Sequence, residues 1–418
     1  MKSNYKPIGK HIRLVDERNL GLKVTTLLGL SISKEFIPSV ANTIGSDMEN
    51  YKTIRKNQFA CSLMQVRRDK KIPVALLRDF EEAIISQAYP VFEVIDEELL
   101  LPEYLMMWFS RTEFDREACF YAVGGVRGSL EWEDFCNMQL PIPHIEKQKE
   151  IVAEYHTIIN RIKLNEQLNQ KLEETAQAIY KQWFVDFEFP DENGNPYKSS
   201  GGEMEYSKTL DKEIPCTWRD GTIDELTELI DGDRGTNYPS HGEMLSEGYC
   251  LFLNAGNVTK NGFAFDTNMF ITEEKDRKLR KGKLQRHDVV LTTRGTVGSL
   301  GYFGMNIEYS NIRINSGMII MRGKAEPTHS IYAYLLMKSS DMKDLINSYM
   351  SGSAQPQFPI RDIVSMPVII PDKNIISNFV EKILPIQDNM DLTDKQIRHL
   401  KRLKDILLSK ISKVEVVE

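Results

Sequence analysis

The chain has 418 residues, of which 41% are hydrophobic and 27% charged, which is a globular composition. At roughly 100 to 200 residues per domain, this length allows two to four domains. The formal net charge of −7 excludes a generic basic protein that coats DNA, because such proteins neutralise phosphates with an excess of Lys and Arg. The apolar stretch Leu99–Phe109 is interrupted by Pro102 and Glu103. It falls short of the ~20 apolar residues that cross a bilayer, and no apolar signal region is visible, so we predict a cytoplasmic protein without membrane contact.

The cysteines are odd in number and scattered, and none stands in a Cys-x-x-Cys pair. This pattern argues against a disulfide framework and against a zinc site. We therefore predict that all five are reduced and buried: Cys61, Cys119, Cys136, Cys216 and Cys250.

Two stretches are basic although the chain as a whole is acidic. Tyr51–Lys71 holds seven basic residues and one acidic residue, and Lys275–Arg294 holds eight basic and two acidic residues. Charge clusters of this kind can attract a polyanion, although runs of charge are more often solvated faces. The clusters alone leave both interpretations open.

An internal repeat is the strongest pattern in the chain. At an offset of 228 residues, Asp134–Pro143 aligns with Asp362–Pro371, and the alignment continues without a gap through a 4-3-4-3 spacing of mainly apolar residues. Such heptads predict a coiled-coil seam. The seam positions are Ile151, Tyr155, Ile158, Ile162, Asn165, Asn169, Leu172, Ala176, Ile179 and Trp183 in the first copy, and Phe379, Ile383, Ile386, Met390, Thr393, Ile397, Leu400, Lys404, Leu407 and Ile411 in the second. The two basic stretches occupy corresponding places in the two copies.

The repeat predicts an α+β fold with two similar domains, each followed by a long helix. We expect domain 1 at 1–145, a central helix at 146–185, a turn-rich linker at 186–218, domain 2 at 219–372 and a C-terminal helix at 373–413. An apolar seam cannot remain in water, so we expect the two helices to pack as an antiparallel coiled coil in a pseudo-twofold monomer. Pairing of each helix in a homodimer is the alternative, because heptads alone do not choose the partner.

Short strands and helices are expected inside each domain. β-branched or aromatic runs bounded by Gly, Pro or Asn predict strands, and two longer segments predict helices. The predicted strands are Ala88–Val94, Pro141–Pro143, Asp288–Thr293 and Ser316–Arg322, and the predicted helices are Glu103–Arg116 and Ile331–Met350.

Polar, basic and Gly-rich loops are the candidates for DNA contact. Arg and Lys reach guanine and phosphates, Asn and Gln reach adenine, and Gly lets the backbone approach a phosphate. The candidate residues are Arg67, Arg68, Lys71 and Arg127 in domain 1, and Arg234, Asn237, Arg294 and Gln355 in domain 2. For any one of them, an ordinary turn or surface charge is an equally good interpretation.

Catalytic signatures are missing from the sequence. We find no Asn-Pro-Pro-Tyr tetrapeptide, no Gly-x-Gly-x-x-Gly, no Walker loop and no His-Glu-x-x-His, and the seven histidines are scattered. We therefore expect no catalytic and no metal site in this chain. A coiled-coil scaffold without DNA binding is the alternative function, and a self-contained methyltransferase or nuclease is disfavoured.

The arrangement resembles the specificity (S) subunit of type I restriction-modification systems. The resemblance is carried by the two repeated domain-and-helix units, by Trp183–Phe187, by the linker Asn193–Met204, by Ile214–Trp218 and by Gly352–Gln357. It covers nearly the whole chain, and its linker and helices are more specific than the globular domains.

The resemblance implies a protein that recognises DNA without catalysing a reaction. Each domain would be a target recognition domain that binds one half of a bipartite, asymmetric site in double-stranded DNA. The helices would space the domains and dock two modification (M) subunits. Those subunits carry S-adenosylmethionine and flip the target adenine out of the duplex. Two restriction (R) subunits, which use ATP and Mg, would be further partners.

Overall fold

The computed structural model describes residues 5–39, 47–125, 128–350 and 357–413. The chain divides into two compact units. Unit 1 comprises Met1–Lys163 and Arg398–Glu418, and unit 2 comprises Leu164–Ile397. Each unit therefore contains part of both long helices.

Unit 1 combines short strands with short helices and the start of a long helix. Its described strands are β1 (Tyr5–Pro7), β2 (Ile12–Val15), β3 (Leu28–Leu30), β4 (Phe36–Pro38), β5 (Lys52–Arg55), β6 (Phe59–Cys61), β7 (Val74–Leu76), β8 (Glu82–Ile85), β9 (Val91–Val94) and β10 (Gln139–Pro141). Its helices are α1 (Val66–Asp69), α2 (Pro102–Phe109), α3 (Thr112–Tyr121), α4 (Trp132–Asn137) and α5 (Ile145–Phe184), which continues into unit 2.

Unit 2 also combines short strands with short helices and part of a long helix. Its described strands are β11 (Met204–Ser207), β12 (Lys212–Pro215), β13 (Arg219–Thr222), β14 (Thr227–Asp231), β15 (Cys250–Phe252), β16 (Val258–Thr259), β17 (Gly262–Phe263), β18 (Phe270–Ile271), β19 (Val289–Thr292), β20 (Leu300–Tyr302), β21 (Ile312–Arg313), β22 (Met318–Gly323) and β23 (Pro367–Ile370). Its helices are α6 (Ile223–Leu226), α7 (Glu273–Lys278), α8 (Thr328–Lys338), α9 (Ser340–Tyr349), α10 (Ile360–Val364) and α11 (Lys373–Lys410), which continues into unit 1.

The two units have the same central sheet. In unit 1 the strand order is β2-β9-β6-β7, and in unit 2 it is β14-β22-β19-β20, with antiparallel pairing throughout both sheets. A second small sheet also recurs, because β1 pairs with β10 and β13 pairs with β23. The repeated α+β fold predicted from the sequence is therefore confirmed.

Each sheet covers an apolar core. In unit 1 the rings of Phe59 and Phe92 stack with centroids 5.0 Å apart, and Phe109 meets both rings edge-on. In unit 2 the ring of Phe184 meets Tyr332 at 4.9 Å and Phe379 at 4.8 Å. The rings of unit 1 hold the sheet against α2, and those of unit 2 hold α5, α8 and α11 together, because buried aromatic side chains contribute large apolar areas.

The two long helices run antiparallel within unit 2. Asn165 of α5 donates to Gln396 of α11, and nearer the end of α5 Trp183 lies 5.7 Å from Phe379. Every seam position predicted from the heptads is buried or half-buried. Long, straight side chains without Gly favour a continuous helix in α5, and the apolar seam provides its stability.

Unit 1 buries the other ends of the same two helices. Ile151 and Val152 of α5 share a core cluster with Leu408 of α11 and with Ile411, which follows α11. The Tyr5 hydroxyl donates to the backbone carbonyl of Ser412 at 2.9 Å. The seam of unit 1 is thus part of the core of its globular portion.

Several predicted boundaries are wrong. The predicted helix Glu103–Arg116 is two helices, because Arg111 between α2 and α3 is extended. The predicted helix Ile331–Met350 is also two helices, because extended Ser339 caps Met342 N at the start of α9. The strands predicted at Ala88, Pro141, Asp288 and Ser316 occur as β9, β10, β19 and β22 with shifted ends.

The prediction that all cysteines are buried is wrong for three of them. All five are free thiols, but only Cys61 and Cys250 are buried, while Cys119 and Cys136 are half-buried and Cys216 is exposed. Cys216 lies in the turn after β12, where its thiol is near Tyr197 and Glu203.

None of the helices in the described parts of the chain combines the length and the apolar character needed to cross a membrane.

Candidate nucleic-acid interface

A backbone contact between two loops occurs at the same place in both units. In unit 1, the loop between β6 and β7 meets the segment before α4, where Leu130 N donates to Leu63 O at 2.9 Å. In unit 2, the loop between β19 and β20 meets the segment before α10, where Phe358 N donates to Thr293 O at 3.0 Å. Each of these loop pairs carries candidate residues, so the repeat brings them to equivalent places.

Arg234 and Arg294 of unit 2 meet at one turn. The Arg234 guanidinium donates to Ser316 O at 3.4 Å, and the backbone N–H of Arg294 donates to Gly317 O at 3.2 Å. Gly232 allows this approach, because a Cβ at that position would clash with the carbonyl oxygen of Asn315. Both arginine side chains are exposed.

A cleft of about 460 Å³ opens beside this turn. Its walls are 231–237 and the pair Arg280 and Lys281. Asp233 joins the two walls, since its carboxylate accepts from Gly235 N at 2.8 Å and from Arg280 N at 2.7 Å. These backbone hydrogen bonds lower the pKa of Asp233, so it stays ionised as part of the scaffold.

The side chains that line the cleft carry one more positive than negative charge, with Arg234, Arg280 and Lys281 against Asp231 and Asp233. Asp231 is paired with Arg234 at 3.1 Å, and Asp233 is occupied by backbone donors. Arg280 and Lys281 are exposed and form no ion pair within the described residues. Asn237 also lines the cleft, is half-buried and donates to Lys278 O at 3.3 Å.

Unit 1 places its candidates on and after the short helix α1. Arg67 is exposed, its Nη1 donates to Gly124 O at 3.2 Å, and its stem packs against Gly128. Arg68 is exposed and forms an ion pair with its neighbour Asp69 at 2.6 Å. Lys71 is exposed and forms no ion pair in the described part of the chain.

Two candidates lie outside the described residues. Arg127 falls in the gap between 125 and 128, and Gln355 falls in the gap between 350 and 357. The residues around both gaps belong to the loop pairs. Val123 forms a β-bridge with Ser129 around the first gap, and Gln357, which follows the second gap, forms a β-bridge with Arg294. The DNA contacts of all eight candidates stay predictions.

Many basic side chains in the two basic stretches already have partners within the protein. Ion pairs hold Lys52, Arg55, Lys56 and Arg68 in the first stretch, and Lys275, Arg277, Lys278 and Lys283 in the second. Arg286 donates to the carbonyls of Gly304, Ile307 and Tyr309 and is structural. Much of each stretch is therefore an ordinary surface or packing charge.

Sequence reasoning missed Arg280 and Lys281 as cleft residues. They belong to the second basic stretch, but nothing in the sequence distinguishes them from the neighbouring lysines and arginines that form ion pairs. Gly282, which has a positive φ of 82°, follows them and was the one available signal of a special turn. Within the described residues, no group of three or more His, Cys, Asp or Glu side chains could hold a metal ion.

A family model for the type I restriction modification DNA specificity domain matches residues 48–174 and 215–406, which is more than half of the chain. The chain therefore belongs to the type I restriction-modification DNA specificity family, whose role is sequence-specific DNA recognition. The resemblance seen in the sequence is confirmed.

Curated relatives carry specificity-subunit names. The chain is 24% identical over 319 residues to the specificity subunit of type I restriction enzyme MjaIX from Methanocaldococcus jannaschii, covering 76% of this chain and 70% of that protein. It is 30% identical over 112 residues to the HindI specificity subunit from Haemophilus influenzae, covering 26% of this chain and 24% of that protein.

A solved structure shows the same fold. The S subunit of a type I restriction-modification system from M. genitalium matches with a TM-score of 0.57 and 14% identity, covering 99% of this chain and 96% of that chain. This likeness supports the two-unit α+β fold described above.

Proposed function

We propose that the chain is the non-catalytic specificity subunit of a type I restriction-modification complex. Each unit reads one half of a bipartite, asymmetric site in double-stranded DNA. The observation that carries the proposal is the repeated loop pair, Leu63 with Leu130 and Thr293 with Phe358, beside which each unit presents exposed cations. Two similar but non-identical loop pairs suit two different half-sites, because base-specific contacts depend on the side chains that each loop carries.

The residues that would touch DNA divide by chemistry. Arg67 and Lys71 in unit 1 and Arg234, Arg280 and Lys281 in unit 2 are suited to phosphates. Arg294, which lies in the loop between β19 and β20 with its side chain exposed, is suited to a guanine edge in the major groove. Asn237 is suited to adenine once it exchanges its hydrogen bond to Lys278 for one to a base. Arg68, Arg127 and Gln355 complete the proposed set.

Chemistry on the target is proposed to come from partner chains. Two modification subunits would bind S-adenosylmethionine and methylate adenine. Two restriction subunits, with ATP and Mg, would add cleavage. The proposed partner docking along α5 and α11 is favoured by outward-facing apolar residues on those helices, such as Leu164, which is 58% exposed, and Leu403, which is 52% exposed. Each has an exposed apolar neighbour one helical turn away, Leu168 for Leu164 and Ile406 for Leu403, and such pairs, unlike single exposed residues, favour an interaction surface. Because the target is DNA, we propose that the complex acts in the cytoplasm.

A genome-wide map of N6-methyladenine tests the proposal. The map is made in the source cell with and without this gene. Loss of one bipartite motif is the expected result, and it would reveal both half-sites. A map that does not change, together with no DNA binding by the purified complex, would contradict the proposal and favour the scaffold.

Charge reversal separates DNA reading from scaffolding. Arg67→Glu and Arg294→Glu are expected to abolish methylation of the motif while the chain keeps its partner proteins. Arg277→Glu is the matched control, because Arg277 is exposed but already paired with Glu273. If the chain is a scaffold that does not bind DNA, none of the three changes should alter methylation or partner binding.

A domain exchange tests the division of labour between the units. Replacing Met1–Pro143 by the corresponding part of another specificity subunit is expected to change one half-site of the mapped motif. A change in both half-sites would contradict the modular proposal.

A further inference from the structure

An exposed apolar cluster lies at the end of α3 in unit 1. Phe120 is 79% exposed, which makes it the most exposed large apolar side chain in the described residues. Tyr121 and Val123 are 43% and 56% exposed, and the rings of Phe120 and Tyr121 meet edge-on at 5.4 Å. We call Phe120, Tyr121 and Val123 the apolar tip.

Two hydrogen bonds connect the apolar tip to α1, which carries the cations. Cys119 Sγ, one residue before Phe120, donates to Val66 O at 3.4 Å. The guanidinium of Arg67 donates to Gly124 O, one residue after Val123, at 3.2 Å. The tip therefore lies between two attachments to the residues Val66 and Arg67.

The cations beside the tip are available to a polyanion. Arg67 and Lys70, whose charges both act on Cys119, are exposed, and neither has an ion-pair partner within the described residues. An apolar patch beside basic side chains complements DNA, because DNA has phosphates on its outside and apolar base faces inside. A protein partner with carboxylates around an apolar surface is the alternative occupant of this patch.

Unit 2 shows that the fold does not require an exposed tip. At the offset of 228, Phe120 corresponds to Ser348 and Tyr121 to Tyr349. Tyr349 and Met350 pack against the main core of unit 2, whereas the apolar tip of unit 1 faces water. Exposing aromatic and aliphatic side chains costs hydrophobic free energy, so a cluster of them that is exposed in unit 1 indicates a task specific to that unit.

Given the DNA-reading function proposed above, on which this inference rests, we propose that Phe120 is a wedge that inserts between base pairs of bound DNA. Tyr121 and Val123 support its ring, and Arg67 and Lys70 hold the neighbouring phosphates. Apolar wedges of this kind unstack one base step and bend the duplex. The half-site of unit 1 would then be selected partly by how easily one of its steps unstacks, a source of specificity that needs no hydrogen bond to a base.

The test uses the full-length chain and DNA that it selects itself. Duplexes are enriched from a randomised pool by the wild-type chain, and the affinities of variants for them are then measured. Phe120→Ala is expected to weaken binding by about tenfold, the size typical for loss of one aromatic side chain that stacks on bases. The matched control is Leu20→Ala, which removes another apolar side chain of unit 1 that is 67% exposed.

A spectroscopic variant reports insertion directly. In Phe120→Trp the new indole is exposed, whereas Trp108, Trp183 and Trp218 are buried and Trp132 is half-buried. We expect the added emission to be quenched, and shielded from acrylamide, when the selected duplex binds.

The outcomes separate the two proposals. If neither the wild-type chain nor its complex with the modification subunits enriches a duplex, both the wedge and the DNA-reading function are contradicted. If either enriches duplexes that Phe120→Ala binds as tightly as wild type, or if the added emission of Phe120→Trp does not respond to DNA, the wedge alone is wrong and the tip is a surface for protein partners.

Discussion

Asp276 and Arg313 form a buried ion pair in unit 2, with Asp276 Oδ1 and Arg313 Nε 2.5 Å apart. The same guanidinium donates to Leu279 O and, at 2.7 Å, to Lys281 O. Lys283 donates to the other carboxylate oxygen at 2.6 Å. The pair therefore holds the backbone segment that presents Arg280 and Lys281 to the cleft.

Asp276→Asn is expected to destabilise unit 2 by about 3 kcal/mol at neutral pH, because it leaves Arg313 buried without its counter-ion. Urea unfolding measures this loss. Asp266→Asn, which changes an exposed carboxylate of the same unit, is the control and should unfold like the wild type.

The same pair makes stability depend on pH in the acid range. Burial opposes ionisation of Asp276, but the hydrogen bonds from Lys283 and Arg313 outweigh it, so the pKa is lowered. The stabilisation is complete above the unfolded pKa, about 3.9, and declines as the pH falls through the folded value. The difference in unfolding free energy between wild type and Asp276→Asn should therefore shrink below about pH 4. A difference that stays constant down to about pH 2 would contradict this assignment.

Arg280→Ala and Lys281→Ala test the cleft as a phosphate site. Each change is expected to weaken binding to all duplexes alike and to reduce the slope of log affinity against log salt by about one. Titration by fluorescence anisotropy at several salt concentrations provides the measurement. Lys278→Ala removes a neighbouring lysine already paired with Glu274 and should leave the slope unchanged.

Arg294→Ala tests base reading on the second unit. If Arg294 contacts a guanine, its loss should cost about 1–3 kcal/mol of binding and relax the preference at one position of one half-site. Methylation mapping in cells that carry the variant shows which position changes. An unaltered motif together with uniformly weaker binding would instead assign Arg294 to a phosphate.

Phe379→Ala tests the aromatic cluster that joins the long helices in unit 2. Phe379 is fully buried against Trp183 and Phe184, so its truncation is expected to cost about 3–5 kcal/mol of unfolding free energy. Leu392→Ala lies on the same helix but is 44% exposed, and its effect should stay within about 0.5 kcal/mol. Equal effects of the two changes would contradict the packing described here.

An insertion tests the proposed spacer role of α5. The sequence reads as successive tetrapeptides that begin at Leu164, Leu168 and Leu172. One further tetrapeptide lengthens the helix by ~6 Å, which is about two base steps of 3.4 Å. The mapped half-sites should stay the same while the gap between them widens. A four-residue insertion after Asn193, in a surface turn, is the control and should leave the gap unchanged. An unaltered gap in the helix variant would contradict the spacer role.

Periodicity explains why so much of the fold could be predicted. The 4-3-4-3 spacing and the 228-residue offset are properties of the sequence that survive without any tertiary information. Seam residues such as Ile162 and Ile397 are buried as predicted. The ends of α2 and α3 were not predicted, because the break at Ser110 and Arg111 has no Gly or Pro to mark it.

The candidate site was only partly predictable, because a charge does not reveal its partner. Arg286 and Arg294 belong to one basic stretch, yet Arg286 is bound to three carbonyls and Arg294 is exposed on a loop. Arg280 joins Arg234 in one cleft although 46 positions separate them in the sequence. No local pattern encodes that proximity.

The sequence by itself determined the repeated α+β units, the two long helices and the family, since these depend on periodicity and on motifs within one stretch of chain. Only the tertiary structure decided which cations are neutralised, which loops meet at Asn315–Gly317, and that the apolar tip of unit 1 stays exposed. Those features depend on contacts between segments distant in sequence, where the free energy of a charge or an apolar side chain is determined by what folds against it.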